Sequence, residues 1–134
     1  MSERLNHLAV WVAAIVYFLF GYLWYGVLFA SMWTTYMNHQ MAAPSAPLYI
    51  ESFVLGLILA YATGVALTRR PEDQTMQQGI SFALFMGISI FATQTLNQAL
   101  YSGTAIGLWL INTGYVIVGF AIMAAIIGAW KKKG

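Results

Sequence analysis

Four long apolar segments constrain this chain more than any other feature. They cover approximately residues 8–30, 48–68, 79–100 and 105–130. Each is long enough to cross a hydrocarbon core, which needs about 20 helical residues. In lipid every backbone donor and acceptor must be paired within the protein, and the segments are too long and too uniformly apolar for barrel strands. The sequence therefore predicts a single all-α domain, a membrane-embedded four-helix bundle.

The composition supports lipid as the main solvent. Hydrophobic residues make up 60% of the chain and charged residues only 7%, whereas a soluble domain has roughly 25% charged residues. The net charge of +2 comes from small clusters at the segment ends, which are too narrow to form the basic face of a nucleic-acid-binding protein. Because there is no cysteine, disulfides and thiolate chemistry are excluded.

The basic residues predict the orientation. All six flank apolar segments at ends that should emerge on one side of the membrane: Arg4, Arg69, Arg70, Lys131, Lys132 and Lys133. Short loops rich in Lys and Arg stay cytoplasmic, so both termini and the 69–78 connection are expected in the cytoplasm. We expect a multi-pass protein of the bacterial cytoplasmic (inner) membrane. The first segment should be retained as an anchor, because it is longer than a signal-peptide core and lacks a small-residue cleavage site.

The two longer connections have different characters. Pro71 cannot continue the second helix, so residues 69–78 are predicted to form a turn. In the outer loop, residues 31–47, the apolar and polar residues of 31–40 segregate to different helical faces, which is typical of an interfacial amphipathic segment. Pro44 and Pro47 then interrupt it before the second span.

Small residues recur at four-residue spacing in three of the segments. Gly79, Ala83 and Gly87 form one such stripe, and the others are Ala60 with Gly64, Ala121 with Ala125, and Ala124 with Gly128. Such stripes let helix backbones approach closely in lipid. We favour internal bundle packing for them, and a homo-oligomer contact remains the alternative.

Polar residues are concentrated toward the outer ends of the segments. They define a candidate pocket in the outer leaflet: Trp24, Tyr25, His39, Glu51, Gln94, Asn97, Gln98 and Asn112. The favoured interpretation of the amides is hydrogen bonding across the bundle, and the favoured interpretation of Glu51 is an interfacial carboxylate that reaches water. The alternative is an outer polar and aromatic pocket that binds a ligand.

Metal and cofactor sites are not expected. His39 and His7 lie on opposite sides of the predicted membrane, and one histidine with one carboxylate offers too few zinc ligands. His39 and Glu51 have suitable side chains for acid/base chemistry, but no nucleophile or oxyanion motif accompanies them. An enzyme using this pair is therefore a less favoured alternative.

Two stretches resemble a known family. The chain resembles small bacterial membrane proteins catalogued as domain of unknown function 1761. Their first helix is similar to the stretch Trp24-Tyr25-Gly26-Val27-Leu28-Phe29-Ala30 with Trp33, and their last helix is similar to the segment from Leu108 to Trp130. Asn97 lies near a position where that family tends to have asparagine. The resemblance implies a four-helix integral membrane protein, and it brings no activity and no catalytic residues. The loop with His39, Pro44 and Pro47 departs from the family pattern.

The expected role is that of a non-enzymatic accessory or binding protein. Its outer pocket or a helix face would engage a lipid, a small apolar molecule or a membrane partner. A small oligomeric transporter or channel is the second hypothesis, although no polar stripe runs the full depth of the membrane. Apart from the lipid bilayer, the partners left open are a second copy of the chain or a larger membrane complex, and nucleic acid is excluded.

Overall fold

The computed structural model describes residues 5–28, 46–69, 72 and 74–131. The described residues form four helices and no strands, and all four helices are long and apolar enough to span a membrane. The predicted all-α, four-helix architecture is confirmed. The predicted amphipathic segment 31–40, His39, Pro44 and Pro71 fall outside the described residues. Pro47, which was expected to lie in the outer loop before the second span, is instead the second residue of the helix Ala46–Leu67, where the first turn of a helix tolerates proline.

We refer to the helices as spans 1 to 4. Span 1 is His7–Leu28, span 2 is Ala46–Leu67, span 3 is Met76–Ser102 and span 4 is Ile106–Ala129. Spans 1 and 3 are not α-helical throughout. Span 1 ends in a π-helical segment, Trp24–Leu28, and span 3 contains another, Gly87–Ala92, between two α-helical parts.

Local sequence signals account for several helix ends. The Asn6 side chain caps span 1 by accepting a hydrogen bond from the Ala9 amide at 3.2 Å, and the Thr75 hydroxyl caps span 3 by accepting one from the Gln78 amide at 3.0 Å. These caps satisfy amides that the helix itself leaves unpaired. Span 3 ends at Gly103, whose φ of 74° is favoured by glycine.

Spans 3 and 4 pack most closely, through the predicted small residues. Gly79 lies against the Ala124 carbonyl group and Gly128 lies against the Thr75 carbonyl group, with no room for a Cβ at either glycine. Ala83 and Ala124 are fully buried. Of the predicted stripes, the one through Gly79 and the pair Ala124 and Gly128 therefore serve packing within the chain.

The two described ends of the chain meet at one end of the bundle. The Asn6 amide donates to the Trp130 carbonyl at 3.3 Å, and the buried Gln74 amide donates to the Ile127 carbonyl at 3.2 Å. Arg69 and Lys131, the basic residues within the described ranges, flank these contacts in sequence. We call this the basic end and the opposite one the far end. The geometry agrees with the prediction that the chain ends and the 69–78 connection lie on one side, and the membrane side of each end stays a prediction.

Candidate functional site

Three of the predicted pocket residues meet between spans 1 and 4. The Tyr25 hydroxyl donates to Asn112 Oδ1 at 2.7 Å, and Trp24 Nε1 donates to the Ile111 carbonyl at 2.9 Å. Both bonds cross between helices and lie in partly buried surroundings. Such bonds hold helices together in lipid, so Trp24, Tyr25 and Asn112 join the two spans.

Aromatic side chains fill the space next to these hydrogen bonds. Tyr115 of span 4 lies between Tyr17, Phe20 and Tyr25 of span 1, with ring centroids 4.9, 5.8 and 5.3 Å away. The Tyr115 hydroxyl also donates to the Tyr17 backbone carbonyl at 3.1 Å. Rings at these separations attract one another in addition to burying apolar area. This part of the predicted pocket is occupied by the protein's own side chains.

Two glycines of span 4 make room for this aromatic cluster. A Cβ on Gly114 would lie 2.9 Å from the Trp24 ring, and one on Gly119 would lie 2.7 Å from the Tyr17 ring. Both distances are below ordinary van der Waals contact. The aromatic residues of span 1 therefore sit in notches that the glycines of span 4 provide.

The other described members of the predicted pocket are elsewhere. Gln94, Asn97 and Gln98 are exposed on the far half of span 3, and Glu51 is exposed on span 2. The amides of span 3 therefore do not bond across the bundle as the favoured interpretation expected. Of the eight candidate residues, three lie in a packed interface, four are exposed on two different spans, and His39 falls outside the described residues.

The π-helical segment of span 3 explains this difference. In a continuous α-helix, Gln94 and Gln98 would follow Gly87 at positions i+7 and i+11 and would share its buried face. A π-helical turn contains an additional residue, which shifts the register of everything beyond it. Beyond the π-helical segment, the residues that face the bundle are Thr95 and the buried Ala99. The Thr95 hydroxyl accepts a hydrogen bond from Trp109 Nε1 at 3.0 Å.

Hydroxyl side chains bond to backbone carbonyls in and around the irregular segment. Ser89 donates to the Phe85 carbonyl, Thr93 donates to the Ser89 carbonyl at 2.8 Å, and Thr95 donates to the Phe91 carbonyl at 2.8 Å. Bonds of this kind compete with the backbone ladder and bend helices. Thr63 makes the same kind of bond to the Leu59 carbonyl within the regular helix of span 2, so the hydroxyl bonds accompany the irregularity and do not by themselves specify it.

An apolar cleft that the sequence did not predict lies beside the same segment. Its volume is about 340 Å³, at the lower end of the roughly 300–1,000 Å³ typical of small-molecule sites. All four spans contribute to its wall, with span 3 supplying half of the lining residues. The lining residues are Tyr17, Leu59, Met86, Gly87, Ile90, Phe91, Val116 and Phe120.

A buried hydroxyl lies on span 4, outside the set of residues that line the cleft. Within the described part of the chain, Thr113 Oγ1 is a buried side-chain oxygen without a hydrogen-bond partner, and the residue is only 5% exposed. Thr113 precedes Val116 by three residues and Phe120 by seven, so helical periodicity places it on the same face of span 4, one turn closer to the far end. A hydroxyl that is buried without a partner costs free energy.

The described residues provide no metal site, since they contain no group of three or more His, Cys, Asp or Glu side chains that could hold an ion. The absence of cysteine from the whole sequence excludes thiolate ligands as well. The titratable side chains of the described chain are therefore not arranged as a metal centre, and the cleft is the candidate site.

Comparison with family models gave one finding. The model described as "Protein of unknown function (DUF1761)" matches residues 8–128, which include all four spans nearly end to end. Searches of curated proteins and of solved structures gave no match. The match agrees with the resemblance carried by the first and last apolar segments.

Proposed function

The chain belongs to the DUF1761 family of proteins of unknown function, and we propose that it is a non-enzymatic membrane protein that binds the apolar chain of a lipid-like amphiphile. The cleft between the spans is the observation that carries this proposal. Its lining is composed of aliphatic and aromatic side chains, methionine and one glycine. Such a surface is suited to a hydrocarbon chain and offers little to a hydrophilic solute.

The proposed location is the bacterial cytoplasmic membrane, with the basic end in the cytoplasm. Arg69 and Lys131 support this orientation, because Lys and Arg next to membrane spans favour the cytoplasmic side. The cleft then opens at mid-membrane depth, with Tyr17 near the middle of span 1 and Ile90 near the middle of span 3. A ligand would reach it from the bilayer and not from water.

The unpartnered Thr113 hydroxyl supports an amphiphile rather than a pure hydrocarbon. It lies one helical turn beyond Val116, toward the far end. An ester or hydroxyl group of a ligand whose chain occupies the cleft could accept or donate a hydrogen bond there. In this arrangement the polar group of the ligand is directed toward the far leaflet.

Lipid photolabelling tests the proposal. Purified protein is reconstituted in phosphatidylglycerol vesicles that contain a phospholipid with a diazirine on one acyl chain, irradiated, and digested for mass spectrometry. We expect labelling to concentrate on Met86, Ile90, Phe91 and Val116. Uniform labelling of all lipid-exposed apolar residues, such as Leu110 and Val118, would show that the cleft holds only bulk lipid.

A matched pair of variants makes the test specific. Val116→Phe places a larger side chain in the cleft, and Val118→Phe makes the same change two residues away at a position that is 41% exposed and does not line the cleft. We expect Val116→Phe to lower labelling of Met86 and Ile90 severalfold and Val118→Phe to leave it unchanged. Equal labelling of the two variants would refute the proposal.

A further inference from the structure

The far half of span 3 presents an amide-bearing face to the exterior of the chain. Gln94, Asn97 and Gln98 are exposed, and Tyr101 on the same side is 87% exposed. Asn97 and Tyr101 each lie two residues from the buried Ala99, so at 3.6 residues per turn they point to the opposite side of the helix. We call Gln94, Asn97, Gln98 and Tyr101 the amide face.

This face is within or at the edge of the membrane. Span 3 has 27 residues, or about 40 Å at 1.5 Å per residue, compared with about 30 Å of hydrocarbon. If the excess is shared between both ends, the hydrocarbon extends to about residue 98. Gln94 lies inside this boundary, where lipid tails supply no hydrogen-bond partner, and Asn97 and Gln98 lie at it.

The chain itself supplies little to these side chains. Gln94 Nε2 lies 3.5 Å from the Thr93 hydroxyl, which is the limit of a hydrogen bond. Within the described ranges, no hydrogen bond to the side chains of Asn97 or Gln98 is found. Ser89 and Thr93, by contrast, satisfy their hydroxyls on carbonyls of their own helix. Among the polar side chains of residues 89–98, unmet hydrogen-bonding capacity is therefore confined to these three amides.

We propose that the amide face is the contact between two copies of this chain, which form a two-fold symmetric dimer in the membrane. A two-fold axis places the same surface against itself, and a carboxamide is suited to such pairing because it contains both donors and an acceptor. The register shift at Gly87–Ala92 directs these amides away from spans 1 and 4 and toward a neighbour. The proposal does not depend on the cleft or its ligand.

The charges at the far end favour a second copy over a lipid headgroup. An anionic phosphate would select Lys or Arg, but residues 31–47 and 101–104 contain neither. The basic residues Arg69 and Lys131 lie at the other end of the bundle. The amide face is uncharged, as a surface that meets its own copy should be, since like charges across a symmetric contact repel.

Disulfide cross-linking in native membranes tests the dimer, and the chain is suited to it because it contains no cysteine. Tyr101→Cys places a thiol on the amide face. Leu100→Cys is the matched control, because Leu100 is 63% exposed at the same depth but about 100° around the helix. On mild oxidation we expect a dimer of the chain from Tyr101→Cys and at least a fivefold lower yield from Leu100→Cys.

The amides are then removed in the Tyr101→Cys background. Interhelical hydrogen bonds in membranes average about 0.6 kcal/mol, so Asn97→Leu should weaken the dimer about threefold for one lost bond and about eightfold for two related by symmetry. Förster transfer between labelled copies in vesicles measures this change. Ser89→Ala is the control, because the Ser89 hydroxyl is bonded to its own backbone and to none of the three amides, so its loss should not alter the dimer.

Several results would overturn the proposal. They are equal cross-linking at positions 100 and 101, a cross-link to a protein other than this chain, and a dimer that Asn97→Leu does not weaken. Loss of bound phosphatidylglycerol in Asn97→Leu without loss of dimer would assign the amides to a lipid headgroup instead. Thermal unfolding of each variant in detergent distinguishes all of these results from a failure to fold.

Discussion

Substitution of Gly79 by alanine should separate spans 3 and 4 at the basic end. The new Cβ would lie 2.8 Å from the Ala124 carbonyl carbon and closer still to its oxygen. Both atoms belong to the backbone of span 4, so no side-chain rotation can relieve the overlap. Adding a methyl group to a closely packed interface of this kind costs about 1–3 kcal/mol.

Gly26→Ala is a matched control for this change. Among the described residues, its Cβ would approach the Tyr22 ring alone, at 3.9 Å, which is ordinary contact. Alanine is preferred over glycine in α-helices by about 0.8–1.0 kcal/mol, and both glycines lie in helical segments, Gly79 in an α-helical part of span 3 and Gly26 in the π-helical end of span 1. The difference between them therefore isolates the contact with Ala124, and we expect Gly79→Ala to be less stable than Gly26→Ala by about 1–3 kcal/mol.

The assay is reversible unfolding in mixed micelles, followed by tryptophan fluorescence. The reciprocal contact of Gly128 with the Thr75 carbonyl group adds a second test. Once Gly79→Ala has moved the helices apart, Gly128→Ala should cost less than it does alone, because the two sites share one interface. Equal stabilities of Gly79→Ala and Gly26→Ala, or strict additivity with Gly128→Ala, would refute the argument.

Two further variants test the bonds around the candidate site. Tyr25→Phe should lower the free energy of unfolding by about 0.6–1.7 kcal/mol, because it removes the hydrogen bond to Asn112. In the same micelle assay, a double-mutant cycle with Asn112→Leu should give an interaction energy of that size between the two positions. Independent effects of the two substitutions would contradict the argument. Thr113→Val removes an unpartnered buried hydroxyl, so the free energy of unfolding should stay the same or rise. The variant should also retain less of the photolabelled phospholipid. A lower free energy of unfolding would show that the hydroxyl has a structural partner.

The fold was predictable because each of its determinants is local in sequence. Four apolar segments of sufficient length specify four helices, and the periodic small residues around Gly79 and Gly128 mark the closest helix contact. The distribution of Arg69 and Lys131 with the other basic residues predicts which ends lie together. None of these inferences requires knowledge of side-chain geometry.

The candidate site was only partly predictable, because its layout depends on helix register. Depth in the membrane can be counted from the ends of a segment, and it correctly placed Tyr25 and Asn112 at a similar level. The direction of Gln94 and Gln98 cannot be counted in the same way, because the π-helical segment Gly87–Ala92 intervenes. The predicted pocket, which was grouped by depth in the membrane, therefore combined side chains that lie apart in the structure.

The same segment links the two proposals physically. Gly87, Ile90 and Phe91 belong to it and also line the cleft, while the residues after it form the amide face. A straight α-helix would direct Gln94 and Gln98 toward spans 1 and 4, where their polar groups would be buried. The irregularity keeps amides out of the interior, leaves apolar residues around the cleft, and provides a hydrogen-bonding surface on the outside. A variant that restored a regular helix at residues 87–92 should therefore lower both amphiphile labelling and dimer formation. By contrast, Val116→Phe should lower only the labelling, and Asn97→Leu should weaken only the dimer.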